Sequence, residues 1–312
     1  MTTPKRALVL GCGAVAGGAW SIAALASVRQ QLNWDPAQAD LLVGTSVGAV
    51  LAALLAAGVS LDRLLAAQNN QPDSRCVWNH DTDSGGAWPA LPALRLTAPA
   101  LLRKALKGEV SALAGLCGIL PQGRTDMTGF VRLIQAASGD RWPQKNLWLM
   151  AVDARTGERR ALGRQTDDQH NIALAQAVCA SYAVPGVCPP VAIGGKRYLD
   201  GGIVSPTSAD LVLQEDIDEV IILAPMASSQ PGRAGGVLNA LERYARRSMT
   251  GIVLREEAML RAAGKRVIRI EPNEDDLRAF GWNLLDPRRR EAIFATALMT
   301  TPNTVARALE QA

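Results

Sequence analysis

Ser46 lies in Gly44-Thr45-Ser46-Val47-Gly48, a hydroxyl between two glycines at the junction of an apolar strand and an apolar helix. Leu41-Leu42-Val43 before it reads as a short buried strand, and Ala49 through Ala57 after it reads as an Ala/Leu-rich helix stopped by Gly58. Glycines on both sides relieve the steric cost of a sharp turn, and the helix directs its free N–H groups and positive dipole end at the hydroxyl. The pattern is a nucleophile elbow if it carries chemistry. It is a packing device if it does not, because small residues are common at strand-to-helix turns.

Gly11-Cys12-Gly13-Ala14-Val15-Ala16-Gly17-Gly18 follows the strand Arg6-Ala7-Leu8-Val9-Leu10 and opens a helix expected from about Ala19 to Leu32. Backbone N–H groups in such a loop serve either phosphate binding in a dinucleotide fold or oxyanion stabilisation in acyl transfer. Gly11, Gly13 and Ala16 fit the G-x-G-x-x-A variant of the dinucleotide fingerprint. That fold wants an acid at the end of its second strand, where this chain has Gly-Thr-Ser, with Asp40 before the strand. The missing acid favours the oxyanion reading, and the absent Gly-Lys-Ser/Thr ending excludes a P-loop.

A nucleophilic serine needs a base, and the chain has two histidines, His80 in a Gly-rich polar stretch and His170 in the charged run Asp167-Asp168-Gln169-His170-Asn171. An ordinary α/β-hydrolase places its histidine after its acid. The best-placed acid is Asp200 in Tyr198-Leu199-Asp200-Gly201-Gly202, and no histidine follows it. Either Ser46 is not catalytic, or a carboxylate takes its proton directly. An aspartate near its unperturbed pKa of about 3.9 is a weak base, so closeness to the serine and exclusion of water must compensate. Taken alone, an Asp-Gly-Gly is most simply a turn.

Together, these segments resemble the patatin-like phospholipase family: a Gly-rich loop after the first strand, a G-x-S-x-G elbow after the second and an Asp-Gly-Gly far downstream, in that order. Val152-Asp153-Ala154-Arg155-Thr156-Gly157 resembles the family's central strand and turn, and Ala177 through Pro190 its helix and Pro-rich loop before the acid. The resemblance covers roughly Arg6 to Leu213. It implies that Ser46 is the nucleophile, that Asp200 is its dyad partner, and that Gly11, Cys12 and Gly13 supply oxyanion-hole N–H groups, aided by that of Val47. It also implies a three-layer α/β/α fold, an acyl-enzyme route and a lipid or other acyl-ester substrate, with neither metal nor organic cofactor. In the family the loop is commonly G-G-G-x-K/R-G, whereas here Cys12 replaces a glycine and Ala16 the basic residue. The backbone donors survive both changes. The positive charge that would greet an anionic headgroup does not. Two other classes stay open: a catalytically silent lipid-binding or regulatory protein on the same fold, and a nucleotide-binding enzyme using the Gly11–Ala16 loop.

These motifs need elements to hold them. Apolar stretches at Ala7–Leu10, Leu41–Val43, Leu147–Val152, Val220–Leu223 and Val267–Ile270 alternate with helical ones, predicting a mostly parallel sheet covered on both faces. The site then falls at the carboxyl ends of neighbouring strands. With 312 residues and 48% hydrophobic content, we expect one domain over 1–312: a family core at about 6–213, an inserted cap at about 72–124, and a helical extension at about 214–312. The cap carries Trp78, Trp88, several prolines and a helical stretch from Pro99 to Gly108 with Arg103, Lys104 and Lys107 among leucines. Such a segment either shields the site and meets a membrane surface or is an ordinary packed subdomain. Gly236–Ala263 and Asp286–Gln311 read as amphipathic helices covering the sheet.

No apolar run reaches the length of a membrane span. Lys5 and Arg6 before an apolar stretch faintly mimic a signal peptide, but that stretch carries the first strand and the Gly-rich loop, so a cytoplasmic protein is expected, with peripheral membrane contact at most. Cysteines at 12, 76, 117, 179 and 188 are odd in number and without a C-x-x-C pair, arguing against a disulfide framework and a zinc site. The net charge of +4 is mild. Arg288-Arg289-Arg290 reads as a solvated helix face, and no nucleic-acid partner is expected. The oligomeric state is not set by these features.

Overall fold

The structure, a computed structural model, describes residues 4–71, 76, 78–79, 90–139, 141–229 and 237–312. Its chain order is β1 (Arg6–Leu10), α1 (Ala14–Leu32), β2 (Leu41–Thr45), α2 (Val47–Ala56), α3 (Leu61–Gln68), β3 (Ala93–Leu96), α4 (Pro99–Leu106), α5 (Ala112–Ile119), β4 (Pro121–Gln122) and α6 (Thr128–Ser138). There follow β5 (Asn146–Asp153), β6 (Arg159–Leu162), α7 (Thr166–Asn171), α8 (Leu174–Ser181), β7 (Val191–Ile193), β8 (Lys196–Asp200), β9 (Glu219–Leu223), α9 (Val237–Ala262), β10 (Arg266–Ile270), α10 (Glu274–Phe280) and α11 (Arg290–Glu310).

The main sheet runs β10-β9-β1-β2-β5-β8-β7, with β6 beside β5. Neighbours from β10 to β5 are parallel, in a register that aligns Leu10 with Gly44 and with Leu223, and Thr45 with Met150. β6, β7 and β8 are antiparallel additions. All five strands expected from apolar runs are present. Strand residues alternate between two cores, because successive side chains leave opposite faces of a sheet. Leu8, Leu10, Leu42, Leu149, Ile221 and Ile268 enter the larger core with α1, α2, α6, α8 and α11. Val9, Val43, Met150, Ile222 and Val267 face the other, where Val253 and Leu260 of α9 pack. The layers are therefore α/β/α, with one thick helical layer and one thin.

Three expectations are corrected. α1 starts at Ala14 rather than near Ala19, because Gly17 and Gly18 belong to the helix: a Cβ at Gly18 would lie 2.7 Å from Val47 Cγ2, so bare backbone lets α1 approach the start of α2. Arg290 is no part of a solvated face. It is 4% exposed and donates to the Gln68 carbonyl and to Asn70 Oδ1, while Arg288 pairs with Asp286. The last helix begins at Arg290, after a short 3-10 turn at Pro287–Arg289.

From the segment expected as a cap, β3 and β4 form a separate two-stranded sheet, and α4 and α5 pack on each other. Trp78 is half-buried against the larger core. Trp88 and His80 lie outside the described residues. Among those described, no helix is long and apolar enough to cross a membrane.

Candidate active site

Ser46 joins β2 to α2 in a conformation that L residues rarely adopt, with φ 58° and ψ −124°. Such a residue persists only where its surroundings over-determine it. Here they do. A Cβ at Gly48 would stand 2.1 Å from the Leu10 carbonyl oxygen, so glycine lets the first turn of α2 press against the end of β1. The Ser46 N–H donates to Ser181 Oγ at 3.0 Å, and that hydroxyl donates to the Met150 carbonyl at 2.7 Å. Ser181, the last residue of α8, thus ties the elbow to β5. No signal in the sequence marked it, since it is one small residue in an apolar helix.

Asp200 ends β8 opposite Ala151 of β5, two strands from Ser46, and is 5% exposed. Its N–H donates to the Ala183 carbonyl at 3.0 Å, and Oδ1 accepts the Gly202 N–H at 2.7 Å. Burial pushes its carboxyl group up to about 6. The Ser46 hydroxyl and then the Gly202 N–H oppose that rise by hydrogen-bonding to the charged form. Serine and aspartate, far apart in sequence, therefore face each other in a buried setting that makes the carboxylate more basic than in water. His170, by contrast, is exposed on α7.

The Gly-rich loop crosses beside them, and its N–H groups divide into two kinds. Gly11 donates to the Leu223 carbonyl and Cys12 to the Pro206 carbonyl, both at 2.9 Å. These two bonds fix the loop rather than leave donors open. Gly13 and Val47 N–H groups have no hydrogen-bond partner among the described residues. Ala14, at φ 51°, turns the chain from the loop into α1. The Cys12 side chain packs against Gly202, where an added Cβ would meet Sγ at 3.0 Å. Burial, and then the Asp200 charge, push the Cys12 thiol far above its usual range, so it is a neutral space-filler rather than a second nucleophile. Beside Val47 opens a narrow, mainly apolar cavity whose lining includes Val15, Gly18, Ala19, Trp78 and Tyr182.

This arrangement can perform acyl transfer: a strained hydroxyl, a basic carboxylate within reach, and open N–H groups at the starts of two helices. No curated protein matches the chain. Among solved structures, VipD from Legionella pneumophila is similar with a TM-score of 0.49 at 13% identity, over 99% of this chain and 67% of VipD. The type III effector ExoU is similar with a TM-score of 0.40 at 14% identity, over 98% of this chain and 53% of ExoU, so the chain spans about half its length. The family model described as patatin-like phospholipase matches residues 8–213, and with it the chain belongs to the patatin-like phospholipase family.

Proposed function

We propose that the protein hydrolyses carboxylic ester bonds of lipids through a Ser46–Asp200 dyad and an acyl-enzyme. The observation that carries this reading is the buried Asp200 carboxyl group, raised to about 6 and facing the Ser46 hydroxyl. At neutral pH most of it is ionised and able to accept a proton, yet it is close enough in pKa to return one. Ser46 Oγ attacks the ester carbonyl as its proton passes to Asp200. The tetrahedral oxyanion is held by the N–H groups of Gly13 and Val47. Asp200 then gives the proton to the departing alcohol, and water repeats the sequence to release the acid. In this mechanism Gly11 and Cys12 act as fixed supports of the oxyanion loop, because their own N–H groups are engaged.

The reading extends to the surroundings of the site. That β9 and β10 pair into the sheet that carries Ser46 supports reading 1–312 as one domain. The segment 72–124 meets lipid: its described part exposes Leu91, Leu94, Leu96, Leu106, Leu116 and Ile119 beside the cations Arg95, Arg103 and Lys107. Lys104 is held by Glu109 at 2.6 Å and contributes less. A fluorophosphonate probe, read by mass spectrometry, should label Ser46 and no other residue. Absence of label on the folded protein would instead favour a catalytically silent lipid-binding protein.

A further inference from the structure

The chain that follows Asp200-Gly201-Gly202 bends back beneath the oxyanion loop and touches both halves of the site. The Pro206 carbonyl accepts the Cys12 N–H at 2.9 Å, and the Ser205 N–H donates to the Gly201 carbonyl at 3.2 Å. A Cβ at Gly11 would meet the Pro206 carbonyl oxygen at 3.1 Å and Thr207 Cγ2 at 3.2 Å, so the two loops are in contact. The returning loop is not a relaxed one. Ser208 has φ 54°, and its buried hydroxyl has no partner among the described residues. Some other group must hold the loop in this shape.

That group is Glu256 on α9, 5% exposed. Its Oε1 accepts the Ser205 hydroxyl at 2.5 Å, and its Oε2 accepts the Thr207 hydroxyl at 2.5 Å and the Ala209 N–H at 2.9 Å. Ser205 Oγ passes the restraint on by accepting the N–H groups of Thr207 and Ser208 at 3.2 and 2.7 Å. Arg159, bidentate on Asp210, stands 3.8 Å from Oε1. One carboxyl group therefore shapes a whole loop. Burial, with the Asp210 charge adding to it, lifts Glu256 to about 7 against the Ser205 and Thr207 hydrogen bonds.

We infer that Glu256 is a positioning residue for acyl transfer: it holds Ser205–Ala209 so that the Pro206 carbonyl fixes Cys12 and thereby aims the Gly13 N–H at the oxyanion. The inference rests on the hydrolase reading above. The plainer role, anchoring α9 to the sheet, would affect stability but not the rate of folded enzyme.

The test uses the full chain with Glu256→Ala, Glu256→Gln and Thr207→Val, read by hydrolysis of p-nitrophenyl butyrate and by hydrogen exchange at Cys12. Loss of the clamp in Glu256→Ala should lower kcat on the order of 10²-fold, as small misplacements of catalytic groups do, with KM changed less than about threefold. Exchange at Cys12 should quicken roughly tenfold or more in the same variant. Glu256→Gln should recover only part of kcat, because its amide oxygen can accept from Thr207 and Ala209 while its NH2 faces a Ser205 Oγ that already accepts two N–H groups. Thr207→Val removes one hydroxyl and keeps α9 anchored, so it should show a smaller loss of the same kind even if Glu256→Ala does not fold. Wild-type kcat, or wild-type exchange at Cys12, in folded Glu256→Ala or Thr207→Val overturns the inference. Exchange reports on the clamp without turnover. An unlabelled Ser46 in the wild type would sink the hydrolase reading instead.

Discussion

Helices α2 and α5 are alike in chemistry and opposite in setting: neither Val47–Ala56 nor Ala112–Ile119 contains a charged side chain. Every residue of α2 is buried, between α1, α6, α8 and the strands β1, β2 and β5. In α5 only Ala114, Gly115 and Gly118 are buried, facing α4, while Leu116 is 50% exposed and Ile119 37%. A helix that is apolar all round is normally enclosed on all sides. The first helix satisfies that rule within the chain, and the second leaves Leu116 and Ile119 exposed among the described residues. Both lie beside the chemistry, since α2 begins at Ser46 and α5 packs near the turn after Asp200. On the proposed function, apolar sequence has two uses here, one building the candidate site and the other available to bring lipid to it.

If that division is right, the two functions should separate by mutation. The largest effect belongs to Ser46→Ala, which should abolish hydrolysis of a short-chain p-nitrophenyl ester while leaving phospholipid vesicle binding intact. Turnover by the folded variant would remove Ser46 from the mechanism.

Asp200→Asn should follow, with a fall in kcat of roughly 10² or more. Its stability should move the other way. Because the folded pKa of Asp200 is raised above the unfolded value, wild-type stability declines as pH rises through the window from about 4 to about 6. The asparagine variant avoids the buried charge. It should therefore be more stable at pH 8, by about 3 kcal/mol for a shift of about two pKa units, and gain nothing at pH 4. The wild-type rate should rise with pH through about 6, as the base form appears. Equal thermal stability of the two proteins at pH 8 would show that the carboxyl group is not held as described. Replacing His170 and His80 together by alanine should leave the rate unchanged.

Stability gives the next contrast. Leu54→Ala in α2 removes a side chain with no exposed surface and should cost about 2–5 kcal/mol in denaturant unfolding. Leu116→Ser with Ile119→Ser in α5 should leave stability and soluble-ester turnover nearly unchanged while weakening vesicle binding on the order of 10²-fold, given about 1.5 kcal/mol for each of the two large apolar side chains. Neutralising Arg103 and Lys107 should give the smallest change, about 1 kcal/mol each in binding to anionic vesicles and nothing in neutral ones. Vesicle binding that ignores both sets of changes would remove α5 and its neighbouring cations from lipid contact.

The sequence made the elements legible where local pattern decides them. Five strands read as apolar runs, and Ser46 and Asp200 were marked by the glycines that their turns require. What it hid depends on partners far along the chain. The Gly11–Gly13 loop offered three N–H groups with equal right to an oxyanion, and only the Leu223 and Pro206 carbonyls distinguish the engaged donors from the open one. Arg290 looked solvated because the carbonyl and amide groups that accept it, on Gln68 and Asn70, belong to another part of the chain. Ser181 and Glu256 carry no motif at all. Their roles arise from hydrogen bonds across 135 and about 50 residues of sequence, respectively.

The strand order also bears on how the chain reaches this state. β1 is an interior strand whose one neighbour, β2, is made early and whose other neighbour, β9, lies beyond residue 213, where the family match ends. Until Glu219–Leu223 is available, one edge of β1 stays unpaired, the Gly11 N–H lacks its acceptor, and the strained turn at Ser46 has no settled partner loop. Pairings of such long sequence separation form slowly and leave apolar edges open to other chains meanwhile. A fragment cut at 213 should therefore aggregate rather than behave as a smaller enzyme.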